Sequence, residues 1–466
     1  MRDWVNRKME LFISLIALFI SIVFFRFSIG SFSLGKMSMV GYLFYFHIML
    51  VTYIGVVAVI THLDIEYNIY FFAITGVVSE ESRQFGWYAT MYSIIVLPIG
   101  MIFANMLFFG KLNASPFIQE YQERKTEHTF YVDEDESVLF FTLFLFTIIT
   151  TLAVLYVFYI IGNFPLFSML SGVDSVILQQ LRGAAKLDFN GITAIRDMIA
   201  LPLTPLLSYI AFILYKKTGF FKFKILFYYL LILSVLILTY NTEKAPVLLY
   251  GMSFLFLQSF VGGKVNSFKF FIMGIIVLGL LILMYFAVSG LDNMEEIINL
   301  LLARIFVAQT SAIFLGYEYF PFMHDFLGWS GISNLFASME GETAVSSGRI
   351  MFQFYAPSSV ANGTAGYMVG LFTAEAWVLF GIMGVLIAPL WVGFFIQSIH
   401  ILMLKLPKNA IFLAAYLYMM MHWALSSGVA TFIYPIVLII FFIQVFSVYF
   451  IAQMIKTILM KNNIKE

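Results

Sequence analysis

Long apolar runs constrain this chain more than any other feature of its sequence. Leu139–Ile161, Lys269–Val288 and Thr431–Phe450 each hold roughly 20 residues that are almost all apolar, and about 20 helical residues cross the hydrocarbon core of a bilayer. Inside lipid, each backbone N–H and C=O group must find its partner within the protein, which favours helices. The runs therefore predict an all-α polytopic integral membrane protein.

Eleven segments qualify as membrane spans when the whole chain is read in this way. They are Met9–Ile29, Ser38–Thr61, Tyr88–Phe109, Val138–Gly162, Arg196–Tyr215, Ile225–Tyr240, Val247–Phe260, Lys269–Val288, Phe380–Leu404, Ile411–Ser426 and Thr431–Ile455. The stretch Ile65–Val78, half polar and half apolar, is the best candidate for a further crossing. We therefore expect 11–12 transmembrane helices in a single polytopic membrane domain that covers residues 1–466.

Composition excludes several classes of function. The chain contains no cysteine, so it can have no disulfide, thiolate nucleophile or cysteine-ligated metal. Lys+Arg and Asp+Glu both number 26, and no basic arm or patch indicates nucleic acid as a partner. The sequence lacks a phosphate-binding glycine loop and a zinc-binding histidine motif. Its nearest run to a nucleotide-sugar Asp-x-Asp pair, Asp133-Glu134-Asp135-Glu136, is interpreted as a solvated cytoplasmic face. We expect no cofactor and no metal.

Lysines near the later spans predict the orientation of the chain. Lys216, Lys217, Lys222 and Lys224 share one connection, and further lysines lie at 264–269, 405–408 and 456–465. Lys and Arg concentrate on the cytoplasmic side of membrane proteins, so residues 163–195 and the acidic segment 291–367 become extracytoplasmic loops. Three basic residues near the N-terminus favour a cytoplasmic N-terminus. An odd number of spans with a cytoplasmic C-terminus would instead place the N-terminus outside.

The segment 291–367 is the one large polar interruption of the apolar pattern. We expect an amphipathic helix over Met294–Leu315, then a loop rich in Gly and Ser, and a re-entry into the membrane over Met368–Leu379. A membrane protein with its scarce charges in one such loop is expected to do its chemistry at one membrane face.

Cations on the predicted outer face are the first candidate site. They are Arg182, Lys186, Arg196, Lys244, Arg304 and Arg349. The guanidinium group presents a planar set of donors that matches phosphate oxygens, and positive charge is disfavoured on this face unless it has a use. Two or more of these cations could hold one diphosphate. For any single cation the alternative is snorkelling, or pairing with a nearby acid, as for Arg196 with Asp197.

Acid–base candidates lie in or next to the same segment. His324, followed by Asp325, could take a proton from a hydroxyl group, although an ordinary solvated histidine fits the sequence as well. Glu318 is a rival base. Glu375 follows the segment at membrane depth, where a carboxylate is a functional candidate, and its alternative role is to pair with an arginine of the loop.

Several segments resemble one family of membrane enzymes. Four features carry the resemblance: Phe164-Pro165-Leu166 with Arg182-Gly183, the short loop 241–246 (Asn-Thr-Glu-Lys-Ala-Pro), residues 326–331 (Phe-Leu-Gly-Trp-Ser-Gly), and the glycine pattern of 363–366 and 380–384. In these features the chain is similar to the bacterial oligosaccharide repeat-unit polymerases of O-antigen and capsule (Wzy-type). The similarity covers roughly residues 163–393. Some members repeat an Arg, ten residues and then a Gly in both large loops; here Thr193 and Val360 occupy the glycine positions.

The resemblance implies a fold, a reaction and a set of roles. The fold would be GT-C-like, with short helices in the large outer loop. The protein would be a metal-independent glycosyltransferase of the bacterial plasma (inner) membrane, in lipopolysaccharide or capsular polysaccharide synthesis. It would transfer the growing glycan from undecaprenyl diphosphate to a sugar hydroxyl of an incoming lipid-linked unit at the outer face. Its partners would be the lipid-linked donor and acceptor and membrane lipid, with a chain-length regulator protein as a candidate.

The roles of individual residues follow from that reaction. Arg182, Arg304 and Arg349, assisted by Lys244, would bind diphosphate, and His324, Glu318 or Asp325 would be the base. The expected substrate-binding residues are Tyr317, Tyr319, Trp329, Tyr355 and Glu375. An O-antigen ligase is the nearest alternative function. A lipid-linked oligosaccharide flippase or another secondary transporter is the alternative from a different class.

Overall fold

In this computed structural model the described residues are 2–29, 56, 77–124, 133–171, 173, 175–186, 189–262, 268, 272, 275, 279, 282, 293–302, 308–361, 367–368, 370–422 and 428–463. Apart from isolated residues, the expected spans Ser38–Thr61 and Lys269–Val288 and most of Ile65–Val78 lie outside this part of the chain. Arg304 and residues 363–366 lie outside it as well.

Helices account for all the regular structure of the described residues. In chain order they are α1 (Arg2–Ile29), α2 (Glu80–Phe109), α3 (Ser115–Glu123), α4 (Asp133–Ile161), α5 (Pro165–Leu170), α6 (Ser175–Lys186), a π-helical turn (Ile195–Ala200), α7 (Leu201–Thr218), α8 (Phe221–Leu238), α9 (Lys244–Gly262), α10 (Met294–Leu302), α11 (Ala308–Tyr319), α12 (Asn334–Glu340), α13 (Ser347–Tyr355), α14 (Pro357–Ala361), α15 (Phe372–Lys405), α16 (Ala410–His422), α17 (Ala430–Ile433) and α18 (Ile436–Asn463).

The chain is a multi-pass membrane protein, and its described part is all-helical. Within that part, seven helical segments are long and apolar enough to cross a bilayer: Lys8–Ile29, Glu80–Phe109, Glu136–Ile161, Ile195–Thr218, Phe221–Leu238, Phe372–Lys405 and Ile436–Ile458. Shorter apolar helices cover Pro246–Leu257 and Ala410–Met419. Each of these nine segments falls on one of the expected spans, and the other two expected spans lie outside the described residues. The last expected span is divided before Ile436, because Pro435 disfavours helical backbone at Tyr434.

The chain divides into two compact units. Unit 1 consists of Met1–Gln119, Ile282–Leu402 and Trp423–Pro435. Unit 2 consists of Glu120–Leu281, Met403–His422 and Ile436–Glu466. This division is not visible in the sequence, because segments of the two units alternate along the chain.

In unit 1, α1 and α2 run parallel. Their paired residues keep a nearly constant spacing in sequence: Arg83 with Glu10 (3.0 Å), Trp87 with Ser14 (2.9 Å), Ser21 with the Ile94 carbonyl (2.6 Å), and Asn105 with the Ser28 carbonyl (2.8 Å). The long part of α15 is parallel to α2 too, since Tyr92 bonds the Leu386 carbonyl at 3.0 Å and Asn105 bonds Gln397 at 2.7 Å. The N-terminal ends of all three helices therefore lie at the same end of unit 1.

Glycines let α2 and α15 approach closely. A Cβ atom on Gly100 would lie 2.2 Å from the Leu390 carbonyl oxygen, and one on Gly393 would lie 2.0 Å from that of Leu97. Without a hydrophobic driving force between helices in lipid, such close backbone contact is a main source of attraction.

A half-length helix, α11, lies antiparallel to the first turns of α2. Glu318 at its end meets Ser79, which precedes α2, and a Cβ atom on Gly86 would touch Phe314. Residues 310–317 are all buried. The expectation of an amphipathic helix over Met294–Leu315 was wrong for this part, because α11 is enclosed on every side and has no solvent-facing stripe.

Helix α15 is broken at Gly381. The backbone there has φ 59° and ψ −141°, a region that only glycine adopts readily. The chain turns back on itself, so that a Cβ atom on Gly384 would lie 2.0 Å from the Ala376 carbonyl oxygen. Residues 372–380 thus form a short helical piece of their own before the long part, 382–405.

Candidate functional site

A cavity of about 550 Å³ opens in unit 1 beside α11 and α13. We call it the polar cavity; its lining residues are Tyr319, His324, Leu327, Ser330, Gly331, Glu342, Thr343, Val345, Ile350, Gln353 and Phe354. All of them come from the polar segment 291–367. The cavity thus combines a histidine, a carboxylate, an amide, three hydroxyl-bearing residues and aromatic rings, which is a set that can bind polyhydroxylated ligands.

The loop 320–333, which carries His324, is fastened to the short piece 372–380. The amides of Leu327 and Gly328 donate to the carbonyls of Val378 and Leu379 at 3.0 and 2.9 Å. The indole of Trp377 donates to the Phe320 carbonyl at 3.0 Å. These bonds occupy the free carbonyls at the end of the short piece, and they hold the cavity wall at the end of unit 1 where α1 and α2 begin.

His324 is exposed and has one ring nitrogen fixed. Its Nδ1 lies 2.7 Å from the backbone carbonyl oxygen of Asp325. A carbonyl oxygen only accepts, so Nδ1 carries the proton, and in the neutral ring Nε2 is the basic nitrogen. The imidazole also lies 6.3 Å from the ring of Tyr319 and 5.4 Å from that of Phe320. Asp325 therefore orients His324 through its backbone oxygen.

Arg349 lies in the first turn of α13, on the helix that forms one wall of the polar cavity. It is exposed, and no carboxylate of the described residues forms an ion pair with it. Gln353, four residues later and on the same face of the helix, lines the cavity. An unpaired guanidinium group beside the cavity is able to bind an anion.

Glu318 serves as an anchor for α2. Its Oε2 accepts hydrogen bonds from the backbone N–H and the hydroxyl of Ser79, at 2.9 and 2.7 Å. Burial acts to raise the pKa of Glu318, but the bonds from Ser79 and Ser82 outweigh it and hold the pKa below its ordinary value. A lowered pKa makes this carboxylate a weaker base, and Glu318 is not among the residues that line the polar cavity.

Glu375 is held between three segments of unit 1. Its Oε1 accepts from the Ser347 hydroxyl at 3.3 Å, and its Oε2 accepts from the Ala430 amide at 2.8 Å. A Cβ atom on Gly428 would lie 2.0 Å from the same oxygen. The carboxylate thus ties the piece 372–380 to α13 and to α17. Arg349, one of the loop arginines considered as its partner, forms no ion pair with it.

The four aromatic residues expected to bind substrate occupy different environments. Tyr317 is 2% exposed and packs on Phe85 and Trp377. Tyr319 lines the polar cavity. The Tyr355 hydroxyl donates to the Leu315 carbonyl at 3.3 Å, and Trp329 is 51% exposed, with its ring against Phe336 and Phe380. Trp329 therefore has surface to offer a ligand, Tyr319 is 9% exposed and offers only the part that lines the cavity, and Tyr317 has none.

Three of the expected cations, Arg182, Lys186 and Arg196, belong to unit 2, where they bind protein oxygens. The Nε of Arg182 donates to the Asn241 carbonyl at 3.0 Å, and Lys186 pairs with Glu243 at 2.5 Å. Arg196 pairs with Asp197 at 2.7 Å, as the alternative for this residue foresaw. Lys244 is the first residue of α9.

Four polar residues of the cavity were not selected as site candidates from the sequence: Ser330, Glu342, Thr343 and Gln353. Ser330 lies in the family-like segment 326–331, and the other three lie in a loop and on α13 without a recognisable motif. Only the fold of the segment, which brings residues 319–331 and 342–354 together, identifies them.

No protein-family model, curated protein or solved structure matches this chain.

Proposed function

We propose that this protein polymerises undecaprenyl-diphosphate-linked oligosaccharide repeat units into O-antigen or capsular polysaccharide. It acts as a glycosyltransferase at the outer face of the bacterial plasma membrane, with a GT-C-like arrangement of spans. The observation that carries the proposal is the polar cavity, in which the Nε2 atom of His324 is the basic nitrogen of the neutral ring while Nδ1 is held by a carbonyl. The sequence resemblance supports the same reaction.

The cavity suits the acceptor sugar. Sugar hydroxyls both donate and accept hydrogen bonds, and Glu342, Thr343 and Gln353 supply partners of both kinds. The rings of Tyr319 and Phe354, 4.7 Å apart, provide an apolar surface for a face of the sugar ring. In this arrangement His324 removes the proton from the attacking hydroxyl.

Charge on the leaving diphosphate requires cations. The acceptor oxygen forms a bond to the anomeric carbon of the growing glycan, the bond from that carbon to the diphosphate oxygen breaks, and the proton passes to His324. Arg349 stabilises the diphosphate as its negative charge grows. Arg304 is proposed as a further diphosphate ligand from the sequence pattern. The diphosphate-binding role expected for Arg182 and Lys244 stays a prediction.

The direct test is reconstitution of the purified protein with a lipid-diphosphate-linked repeat unit, followed by a gel of the products. The wild-type protein should give a ladder of chain lengths. His324→Ala and Arg349→Ala should each reduce the ladder at least about a hundredfold, as expected for loss of a general base or of transition-state charge stabilisation.

Two neighbouring glutamates provide a matched control in the same assay. Glu340 and Glu342 are both exposed, but only Glu342 lines the polar cavity. Glu342→Gln should shorten the ladder strongly, whereas Glu340→Gln should leave it unchanged. Equal ladders from both variants, together with a normal ladder from His324→Ala, would remove the cavity from the reaction.

One observation favours a secondary transporter as the second candidate. The broken helix α15 carries a partly buried carboxylate, Glu375, on the short piece that precedes its break at Gly381, and transporters often place their sites at broken helices. A transporter would move the lipid-linked unit across the vesicle membrane in the same reconstitution and would give no ladder.

A further inference from the structure

Unit 2 contains a groove of about 360 Å³ between α4 and α8. We call it the lipid groove; its lining residues are Phe140, Phe144, Thr147, Ile148, Thr151, Leu152, Lys222, Ile225, Leu226 and Tyr229. Most of these side chains are apolar, and one cation, Lys222, stands among them. The candidate site in unit 1 makes no use of this groove.

The groove follows the two helices along the membrane normal. Phe140 meets Phe223 with ring centres 6.0 Å apart, and further along Thr151 meets Tyr229, so α4 and α8 run parallel. From residue 140 to residue 152 the groove extends about 18 Å at about 1.5 Å per residue. Both helices are membrane-spanning segments, so the groove lies at the level of the lipid chains.

The walls of the groove suit an alkyl chain. Phe144, Ile148 and Leu152 follow one another at four-residue intervals and are exposed on the surface of unit 2. The hydroxyls of Thr151 and Tyr229 bond each other at 2.9 Å, so this polar pair has a hydrogen-bond partner when a chain covers it. An apolar chain can therefore be buried here without leaving these hydroxyls unsatisfied.

A cation stands at one end of the groove. The Lys222 ammonium lies 5.7 Å from the ring centre of Phe140 and 5.5 Å from those of Phe220 and Phe223. No carboxylate of the described residues forms an ion pair with it. Lys224 lies two residues further along α8, and Lys216 and Lys217 lie in the last turn of α7, just before α8 begins. Basic groups at the end of a crevice between spans attract lipid phosphates.

We infer that the lipid groove binds an anionic phospholipid of the bilayer, with one acyl chain between α4 and α8 and the phosphate at Lys222. Charge complementarity between Lys222 and a lipid phosphate favours an anionic phospholipid over an uncharged lipid. This site is independent of the proposed glycan polymerisation.

Native mass spectrometry of the full-length protein, titrated with phosphatidylglycerol or with phosphatidylcholine, tests the inference. The wild-type protein should retain phosphatidylglycerol preferentially. Lys222→Gln should reduce this retention about fivefold, the effect of one cation near a lipid phosphate. Lys224→Gln removes one positive charge from the same end of α8, but Lys224 does not line the groove. This variant should therefore leave most of the retention intact. Ile148→Trp, which fills the groove from its exposed side, should displace both lipids.

Three outcomes would overturn the inference. Equal retention of the two phospholipids would show that the net negative charge of the lipid plays no role. Equal effects of Lys222→Gln and Lys224→Gln would show that only the overall positive charge at this end of α8 matters. Displacement of the bound lipid by undecaprenyl phosphate alone would assign the groove to a carrier lipid. Elution of each variant as a single species in size-exclusion chromatography confirms that it is folded.

Discussion

Three glutamates of unit 1 show how neighbours determine the role of a residue. Glu318 bonds Ser79, which is 239 positions away, and Glu375 bonds the Ala430 amide, 55 positions away. Glu342 instead lines the polar cavity. The sequence places all three in or beside one polar segment, which was enough to select Glu318 and Glu375 as candidates. It could not separate an anchoring carboxylate from one that faces a cavity, because the deciding contacts come from distant parts of the chain.

Acid should weaken the anchor at Glu318. A folded-state pKa below the ordinary value of 4.5 means that this carboxylate contributes stability above that pH and loses its contribution as the pH falls through the lower, folded-state pKa. The thermal midpoint of the wild-type protein in detergent should therefore drop as the pH is lowered below about 4.5.

Glu318→Gln should be less stable than the wild-type protein by about 1 kcal/mol at pH 7, the size of a charged group at a helix N-terminus. The difference between the two proteins should shrink in acid. An unchanged difference in midpoint at pH 7 and at pH 3 would show that the bonds from Ser79 do not depend on the charge.

At the scale of helices, the sequence predicted the spans well and the short pieces poorly. Hydropathy identified the nine described apolar segments because a span is a local property of about 20 consecutive residues. Helix α11 and the piece 372–380 are too short for such a signal. Their position depends on contacts, such as those of Gly86 with α11 and of Gly384 with Ala376, that no local pattern contains. The segment expected to re-enter the membrane, Met368–Leu379, overlaps most of the helical piece 372–380, which ends at the backbone break at Gly381.

Close approach of α2 and α15 should make Gly393 intolerant of a side chain. The Cβ atom of Gly393→Ala would lie 2.0 Å from the Leu97 carbonyl oxygen, so the helices must separate, at a cost of about 1–3 kcal/mol for an overpacked site. The measurement is the melting temperature in detergent. Gly251→Ala is the matched control, since Gly251 is also helical and has no atom within 4 Å of its added Cβ; it should be neutral or slightly stabilising. Equal melting temperatures for the two variants would contradict the tight α2–α15 contact.

At the scale of the whole molecule, the parallel helices of unit 1 restrict its orientation. Because α1, α2 and the long part of α15 begin at the same end, the N-terminus lies on the same side of the membrane as the polar cavity. The sequence suggested a cytoplasmic N-terminus from three basic residues and an outer position for the segment 291–367, and these two expectations are incompatible. Lys111, which follows α2, lies at the opposite end of unit 1. The proposed function requires the cavity to face outward, and Lys111 would then lie on the cytoplasmic side, which Lys and Arg favour. We therefore propose that the cavity and the N-terminus both face outward, against the preference of the three basic residues near the N-terminus.

Single-cysteine labelling tests this placement directly, because the chain has no cysteine of its own. Glu340→Cys places a thiol in the segment that forms the polar cavity, and Lys111→Cys places one at the other end of unit 1; both positions are exposed. In intact spheroplasts, a membrane-impermeant maleimide should label Glu340→Cys and leave Lys111→Cys unmodified until the cells are lysed. Labelling of Lys111→Cys with protection of Glu340→Cys would place His324 and Arg349 in the cytoplasm, where an exported glycan cannot reach them.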